Sequence, residues 1–402
     1  MQWLAGQLYS GEFDLTALMS LVKNIQSNKT QWADKSGEDR LESCKQSLVT
    51  FKEHKRQLAQ QEAEFLSVPV EDILEDVDGI FELIESHLQE FDDKNTYPRG
   101  VMLTMLPKTY GLCSFLYMSV LGSLYGNSMI IKLRNSQKLI ELVQNTELAS
   151  NLSVLSAVEA DAFEMLNSHP FLDSVVFMGQ KNNFNPLSDK HIFASFDAIN
   201  THVVLKNADV QKAAKEIFKA FVKNKALSPF KPHRVLVAKA QFEEFKGAFM
   251  ELVSDLTIDL PAPYKDKFDQ DISEVKKDTH NLMYEAPGVY ITSDLTYCST
   301  YQEKEVLGGF LSISEFKYNH EAAKWINVSS RHRSVSVWTE EVEKAEKFMS
   351  KLHAPKVLVN QVQPKKPFLP LAASGDGAHG GVIGQDIHPQ DLFAQKRIIE
   401  YA

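Results

Sequence analysis

Hydrophobic and polar positions divide the chain into a helical first quarter and a longer region in which short apolar runs alternate with amphipathic stretches. Between residues 12 and 93, apolar side chains recur every three or four positions, which predicts helices with one buried face. Two such faces are Phe13, Leu15, Leu18 and Leu21, and then Val70, Ile73, Leu74, Val77, Ile80, Phe81 and Ile84. Because no heptad repeat persists, we expect these helices to pack as a layer on the rest of the molecule rather than as a coiled coil. A dimer arm is the alternative.

From Pro98 to about Leu205 the pattern changes to short runs rich in β-branched residues, separated by helical stretches. The predicted strands are Val101–Leu106, Ser128–Lys132, Leu152–Leu155 and Ser174–Phe177, with a helix at Glu159–Asn167. Strands that alternate with helices favour a parallel sheet with right-handed crossovers.

The remainder of the chain continues this alternation. Strands are predicted at Val203–Ala208, from Arg234, and at Gly288–Ile291, Gly309–Ser314 and Val357–Asn360; helices are predicted at Asp209–Lys223, Gln241–Val253, Ala322–Val328 and Val342–Leu352. Residues 258–280 are polar, and their pattern predicts no element.

Composition narrows the class of protein. The net charge of −10 argues against a general nucleic-acid surface, which requires a basic field. The three cysteines, Cys44, Cys113 and Cys298, share no metal-ligand spacing and are typical of reduced thiols, and no HxxxH or CxxC motif predicts a metal site. No run reaches 18 apolar residues and no signal peptide precedes the helical region, so we expect a cytoplasmic protein without a membrane span.

The segment Pro98–Leu133 carries the most informative motif. Pro98, Gly100, Pro107, Gly126, Asn127 and Lys132 stand at the spacings of the segment that opens cofactor binding in aldehyde dehydrogenases, which this stretch resembles. His169–Gln180 is similar to a second family segment, in which a Gly-Ser pair approaches the cofactor; here Gly179 is retained and Gln180 replaces the serine. Ser374–Gly377 resembles a late Ser-Gly-x-Gly turn, and the resemblance covers about residues 98–400.

The resemblance implies an α/β fold of the aldehyde dehydrogenase type. Expected domains are a helical N-terminal region (1–97), a Rossmann-like cofactor-binding domain (98–204, completed by about 356–385), a catalytic-type α/β domain (205–355), and a tail (386–402) as a possible oligomerisation strand. The chain is expected to return from the catalytic-type domain into the cofactor domain through the strand Val357–Asn360. A homo-oligomer, most simply a dimer, follows from this expectation.

The positions that correspond to the family's catalytic Asn, Glu and Cys hold other residues. Thr109 stands at the Asn position, Ser195 at the Glu position and Ser228 at the Cys position, where Pro229 removes a backbone N–H. A serine hydroxyl requires a strong neighbouring base, so Ser228 is interpreted as a loop residue, and Asp197 as a solvated or capping residue rather than a displaced base. Three simultaneous losses argue against ordinary aldehyde oxidation.

Three other positions are compatible with a retained cofactor site. Lys132 and Glu305 match family residues that bind the two riboses of the dinucleotide, and Gly179 belongs to the glycine turn, so NAD or NADP binding is expected by resemblance. Cys113 lies one helical turn after Thr109 and is interpreted as a core thiol or a thiol that lines the substrate tunnel; the alternative is that it acts as a nucleophile. The pair Arg331 and Arg333 is expected on a solvated loop rather than at an anion site.

These observations support three hypotheses. The leading one is a catalytically degenerate family member that acts by binding a dinucleotide or a protein partner. The second is an active, atypical NAD(P)-dependent oxidoreductase that uses Cys113. The third is a structural dimerisation module built on the tail and the helical N-terminus.

Overall fold

A computed structural model describes residues 1–94, 96–107, 109–134, 137–179, 190–196, 198–295, 299–302, 304–329, 331–363, 378–379 and 389–396. Gln180, Asp197, Cys298 and the turn Ser374–Gly377 therefore lie outside the described residues. None of the described helices is long and apolar enough to cross a membrane.

The chain begins with two short strands and continues with long helices. These elements are β1 (Gln2–Leu4), β2 (Leu8–Tyr9), α1 (Leu15–Ala33), α2 (Gly37–Glu53), α3 (Lys55–Leu66) and α4 (Val70–Gln89). An α/β region follows: β3 (Thr96–Pro98), β4 (Val101–Met105), α5 (Gly111–Leu124), β5 (Ser128–Lys132), α6 (Gln137–Val143), β6 (Leu152–Leu155), α7 (Ala160–Ser168), β7 (Ser174–Gly179) and β8 (His191–Phe196).

A second α/β region and a short tail complete the chain. The second region contains β9 (Ile199–Val204), α8 (Val210–Val222), β10 (Arg234–Ala238), α9 (Phe242–Val253), α10 (Ala262–Val275), β11 (Asn281–Ala286), β12 (Val289–Ser293), β13 (Gly309–Phe316), α11 (Asn319–Val328), β14 (His332–Trp338), α12 (Val342–Met349) and β15 (Val357–Val359). The tail contains β16 (Ala378–His379), α13 (Pro389–Phe393) and β17 (Ala394–Lys396).

Two large sheets organise the described residues. The first has the order β16-β8-β7-β4-β5-β6-β1-β2, with β4 to β8 parallel to their neighbours among themselves. The second has the order β11-β12-β13-β10-β9-β14-β15 and is parallel except for β11. The predicted α/β architecture with parallel sheets is confirmed.

The N-terminal helices pack on the body of the protein, as predicted, rather than as a separate arm: α1 lies on one face of the first sheet beside α7, and α2 to α4 form a layer on α5 at the other face. Helix α5 is buried along its whole length and contacts β5 of the sheet as well as α2, α3 and α4. Two side chains fix the layer to the C-terminal end of α5: Trp32 Nε1 donates to Ser123 O (2.9 Å) and Arg40 Nε donates to Leu124 O (2.9 Å). Leu15 departs from the expectation, because it is exposed while Phe13, Leu18 and Leu21 are buried.

The Gly-Asn pair before β5 has a structural role. Gly126 adopts a positive φ of 85°, which the turn after α5 requires. The Asn127 amide donates to Gly122 O (3.0 Å) and Phe393 O (2.8 Å), and its oxygen accepts from Gly100 N (3.0 Å). This one side chain therefore joins the start of β4, the end of α5 and the tail.

Two predicted elements differ from the structure, and several observed elements were not predicted. The strand predicted at residues 203–208 is β9, which begins at Ile199, ends at Val204 and pairs within the second sheet. A turn closed by Ala208 N and Leu205 O follows it, and Asp209 then caps α8 through Lys212 N (2.9 Å). The segment at 357–360 does not return to the first sheet: β15 pairs with β14 in the second sheet, and the return is made by β16, which pairs with β8. The sequence pattern also missed α10 and the strands β1, β2, β8 and β11, of which β1 extends the first sheet beyond β6.

The tail is held by its own chain over residues 389–396. Strand β17 pairs antiparallel with β3, and Phe393 is fully buried, where its ring stacks on Tyr125 with centroids 6.4 Å apart.

Candidate functional site

The loop after β4 and the loop after α8 meet at a small cavity. Thr109 and Tyr110 precede α5, and Leu227 and Pro229 flank Ser228 in the other loop. The cavity is lined by Glu62, Leu66, Ile73, Asp76, Thr109, Tyr110, Leu112, Cys113, Asn224, Leu227 and Pro229. Its volume is about 10 Å³, which is roughly the room that one water molecule requires. Two of the three substituted positions, Thr109 and the Ser228 loop, are therefore brought together.

Ser228 is bonded as a loop residue. Its side chain is buried, and its Oγ accepts a hydrogen bond from Phe230 N at 3.2 Å. Among the described residues, no acidic or basic side chain is hydrogen-bonded to Ser228 Oγ. A serine hydroxyl without a base stays protonated near neutral pH, so this geometry does not activate it as a nucleophile.

Ser195 lies apart from this cavity. It is a buried residue of β8, where it stands opposite Met178 of β7 and Ala378 of β16. It does not line the cavity, and it carries no group that can act as a general base near neutral pH.

Cys113 lines the cavity, as the spacing from Thr109 predicts, but its surroundings disfavour the thiolate. Burial raises the pKa of the Cys113 thiol well above its ordinary value, and the nearby carboxylates of Asp76 and Glu62 raise it further. A hydrogen bond from the Tyr110 hydroxyl acts in the opposite direction with a smaller effect. Because the thiolate is the reactive form of cysteine, Cys113 lies in a place that protects it from reaction.

Two carboxylates from the N-terminal layer face the same cavity, and sequence reasoning missed both. Glu62 belongs to α3 and Asp76 to α4, and these helices close one side of the cavity. Burial raises the pKa of the Glu62 carboxyl to about 7, although the backbone N–H groups of Leu112 and Gly111 donate to it. Glu62 and Asp76 lie on the faces of helices whose pattern indicated only packing; a charged residue on a buried face is the one signal that was available.

A second buried polar cluster lies behind the Ser228 loop. Lys231 is almost fully buried, and its Nζ donates to Val306 O (2.6 Å) and Gly308 O (2.7 Å). Burial lowers the pKa of Lys231 below its ordinary value, and the neighbouring Glu305 carboxylate partly offsets this.

Arg333 completes this cluster. It lies in β14 and is buried, which corrects the expectation of a solvated loop. Its Nη1 donates to Ala198 O (3.1 Å) and Pro229 O (2.7 Å), and its Nη2 lies 3.7 Å from Glu305 Oε2. The Glu305 carboxylate is therefore engaged by a guanidinium within its own chain.

The other two residues matched to cofactor binding lie at the carboxyl ends of strands in the first sheet. Lys132 ends β5 and is half-buried, with its Nζ 4.0 Å from the centroid of the Phe163 ring. Burial lowers the pKa of Lys132, and the charge of Arg134 lowers it further. Gly179 ends β7, where an added Cβ would lie 3.2 Å from the Phe177 ring.

The strand order places a topological switch point at this edge. From β4 the chain proceeds to β5 and β6 on one side and then crosses to β7 on the other, so the order reverses between β4 and β7. In open parallel sheets, ligands bind beyond the carboxyl ends of the strands at such a switch point. Lys132 and Gly179 border it on either side of β4.

Comparison with known proteins gives a consistent family. The sequence model of the aldehyde dehydrogenase family matches residues 13–386. No sequence among the curated proteins matches the chain significantly.

Three solved structures illustrate the likeness of fold. Methylmalonate-semialdehyde dehydrogenase (DddC) from Oceanimonas doudoroffii is 12% identical with a TM-score of 0.85, and the match covers 100% of this chain and 98% of that one. The NADP-dependent glyceraldehyde-3-phosphate dehydrogenase from Bacillus halodurans C-125, complexed with NADP, is 16% identical with a TM-score of 0.82, covering 96% and 90%. The 1-pyrroline-5-carboxylate dehydrogenase from Thermus with bound NAD is 14% identical with a TM-score of 0.81, covering 94% and 84%.

Proposed function

The chain belongs to the aldehyde dehydrogenase family, and from this premise we propose that it is a catalytically degenerate member that acts by binding a dinucleotide. The observation that carries the proposal is the state of Ser228, whose Oγ is bonded to the Phe230 backbone beside a cavity of about 10 Å³. Oxidation of an aldehyde through a covalent adduct requires an activated nucleophile and room for the substrate. The Ser228 hydroxyl without a base and the small size of the neighbouring cavity both support this proposal.

The residues present fit one half of a dinucleotide better than the other. Lys132 is at the carboxyl end of β5, beside the switch point of the first sheet, where an ammonium group can donate to ribose hydroxyls. Two solved structures of the same fold are described as complexed with NADP or with bound NAD. These points support binding through the adenosine half.

The nicotinamide half fits less well. A nicotinamide cofactor supplies hydride transfer when it is bound next to a substrate. In the family the residue matched by Glu305 binds the second ribose, but here Arg333 engages this carboxylate at 3.7 Å and Lys231 lies nearby. The chain's own residues would therefore hold the adenosine end and leave the reactive ring without its usual support.

The test is isothermal titration of the purified protein with NAD, NADH, NADP, NADPH and ADP. We expect ADP to bind nearly as tightly as the dinucleotides, and Lys132→Ala to weaken every one of them about tenfold, which is the loss of one charge-assisted hydrogen bond. Lys138→Ala, an exposed lysine on α6, is the matched control and leaves the affinities unchanged. If none of the five ligands binds, the dinucleotide proposal fails.

The catalytic half of the proposal has its own test. We expect no NAD(P) reduction with a panel of aldehydes, either in the wild type or in Ser228→Cys, because restoring the thiol restores neither the base nor the room for substrate. Aldehyde-dependent turnover that Ser228→Ala abolishes would show an active enzyme instead.

A homodimer and a protein partner remain part of the proposal. Deletion of residues 386–402 is a poor test of the dimer, since it also removes the buried Phe393 from its own core. Light scattering of the intact chain over a range of concentrations measures the oligomeric state directly.

A further inference from the structure

The cavity between α3, α4, α5 and the loop before Ser228 contains hydrogen-bond acceptors that lack donors. Within the described part of the chain, no group donates to Glu62 Oε1 or to Asn224 Oδ1, and both atoms are inaccessible to solvent. Both residues line the cavity, and both are more than nine-tenths buried. A buried acceptor without a donor is costly, so the cavity is chemically suited to a hydrogen-bond donor.

The carboxylate of Asp76 holds the Asn224 side chain in an orientation that leaves the amide oxygen without a donor among the described residues. Asn224 Nδ2 donates to Asp76 Oδ2 at 3.3 Å, which fixes the side-chain amide against α4. The other Asp76 oxygen accepts from Lys223 Nζ at 3.0 Å. The amide nitrogen is thus used within the protein, and the amide oxygen is left without a donor.

The charge around the cavity is negative. Glu62 and Asp76 face it, and the cation in contact with this group is Lys223, which is shared between Asp76 (3.0 Å) and Glu75 (3.1 Å). The Tyr110 hydroxyl and the Cys113 thiol, which share a hydrogen bond, are the neutral polar groups beside them. A bound cation would be stabilised by this arrangement, whereas an anion would be repelled.

The backbone of the cavity wall adopts a conformation that side-chain-bearing residues rarely adopt. Asn224, Lys225 and Ala226 have φ values of 52°, 54° and 57° in succession. The turn is held by the Asp76–Asn224 contact and by Gly308 N, which donates to Ala226 O at 3.2 Å. Backbone strain of this kind concentrates at ligand-binding sites, where the surrounding structure maintains it.

The size of the cavity limits the ligand. Its volume of about 10 Å³ accepts one group of the size of a water molecule. Calcium and magnesium require six or more oxygen ligands, and the described residues contain no set of three His, Cys, Asp or Glu side chains grouped as metal ligands. The rest of the wall is apolar, with Leu66, Ile73 and Leu227 among its members. A small cation that forms a few directed hydrogen bonds fits this wall better than a metal ion.

We propose that this cavity is a binding site for the ammonium ion, with Glu62 Oε1 and Asn224 Oδ1 as its acceptors and the Glu62 and Asp76 carboxylates as its counter-charges. The ammonium ion has the size of a water molecule, carries four N–H donors, and supplies the positive charge that water lacks. Lys132 is not among the residues that line the cavity, so the dinucleotide test and the ammonium test examine different side chains and their failures can be distinguished.

The experiment measures the thermal unfolding of the full chain in NH4Cl, KCl, NaCl and tetramethylammonium chloride at equal ionic strength and pH 8. We expect a saturable rise of Tm with NH4Cl alone, because binding to the folded state alone stabilises it. The potassium ion carries the same charge as ammonium but has no hydrogen-bond donors. The tetramethylammonium ion carries that charge, has no N–H donors and is too large for the cavity. Equal shifts in all four salts would mean that the cavity holds water only, and the proposal would be overturned.

Two variants separate the site from a general salt effect. Glu62→Gln keeps the shape and removes the charge, and we expect the apparent Kd for ammonium to rise at least tenfold. Glu64→Gln, an exposed acid on the same helix, is the matched control and keeps the wild-type response. Lys132→Ala also keeps it. An ammonium response that survives in Glu62→Gln contradicts the assignment, even if the protein binds ammonium elsewhere.

Discussion

The guanidinium of Arg333 lies 3.7 Å from the carboxylate of Glu305, and both side chains are almost fully buried, at 7% and 13% exposure. Arg333 also donates to Pro229 O, the residue after Ser228, at 2.7 Å. The pair therefore ties the segment that resembles a ribose-binding motif to the loop that resembles a nucleophile loop. The Arg333 guanidinium thus contacts both segments.

Breaking this pair should cost stability and leave dinucleotide affinity almost unchanged. In Glu305→Gln, Arg333 and Lys231 lose their counter-charge in a buried place, and removal of one partner of such a pair typically costs about 3 kcal/mol or more. Denaturant unfolding measures the loss. Glu315→Gln, which breaks an exposed pair with Lys239 at 3.2 Å, serves as the control with an expected loss below about 1 kcal/mol. A large fall in NAD affinity in Glu305→Gln would show that this carboxylate reaches the cofactor after all.

The thiols of Cys44 and Cys113 should be inert in the folded protein. Burial raises the pKa of both, and Cys113 also faces Asp76 and Glu62. In a Cys298→Ser background, we expect neither thiol to react with a thiol reagent near neutral pH until denaturant is added, whereupon both react. Rapid labelling of Cys113 in the folded state, or an acyl adduct on it, would instead favour the atypical oxidoreductase.

Glu62 should make stability depend on pH with a definite sign. Its folded pKa of about 7 lies above the ordinary value of 4.5, so the folded state binds more protons than the unfolded state between these values. Stability due to Glu62 therefore falls as pH rises through this window, by up to about 1.4 kcal/mol per pH unit and about 3 kcal/mol in total.

The measurement compares wild type with Glu62→Gln between pH 5 and 8 in ammonium-free sodium buffers. The titratable groups around Glu62 are the Cys113 thiol of α5, Tyr264 of α10 and, across the cavity, Asp76 of α4. The pKa values of Cys113 and Tyr264 are raised above their ordinary alkaline values, so neither titrates in this window. Burial also raises the pKa of Asp76, and this group is present in both proteins that are compared. We expect the free energy of unfolding of Glu62→Gln to increase relative to that of the wild type as pH rises. The difference between the two should become constant above about pH 7. A pH-independent difference would mean that Glu62 stays ionised throughout.

A glycine in the left-handed turn before Ser228 should relieve the backbone strain there. Lys225 has a φ of 54°, and its Nζ lies 4.0 Å from a carboxylate oxygen of the exposed Asp259. Lys225→Gly removes the steric penalty of this conformation at the cost of greater unfolded-state freedom, for a net stabilisation of about 1 kcal/mol. The same change in a helix, Lys219→Gly in α8, is the control and should destabilise by about 1 kcal/mol. Destabilisation by Lys225→Gly would show that the side chain matters more than the strain.

Strands in the centre of a sheet could be predicted because both of their faces are buried. A parallel strand covered on both faces needs a continuous apolar run, so Ser128–Lys132 and Leu152–Leu155 were predicted with their observed bounds. Strand β11, at the edge of the second sheet, and β8, next to the edge strand β16, are only partly buried and were missed. The helix at 262–275 was missed because its sequence is mostly polar and only a few of its residues are buried.

The sequence by itself determined the family fold and the approach of Cys113 to Thr109, because each follows from spacing along the chain or from motifs in order. Only the tertiary structure decided what surrounds those positions. Glu62 and Asp76 are distant from Asn224 in sequence, and Arg333 is distant from Glu305, so no local pattern links them. Whether a buried side chain meets a donor, a counter-charge or neither depends on how the layers pack, and that packing gives this chain an acidic, water-sized cavity beside its serine loop.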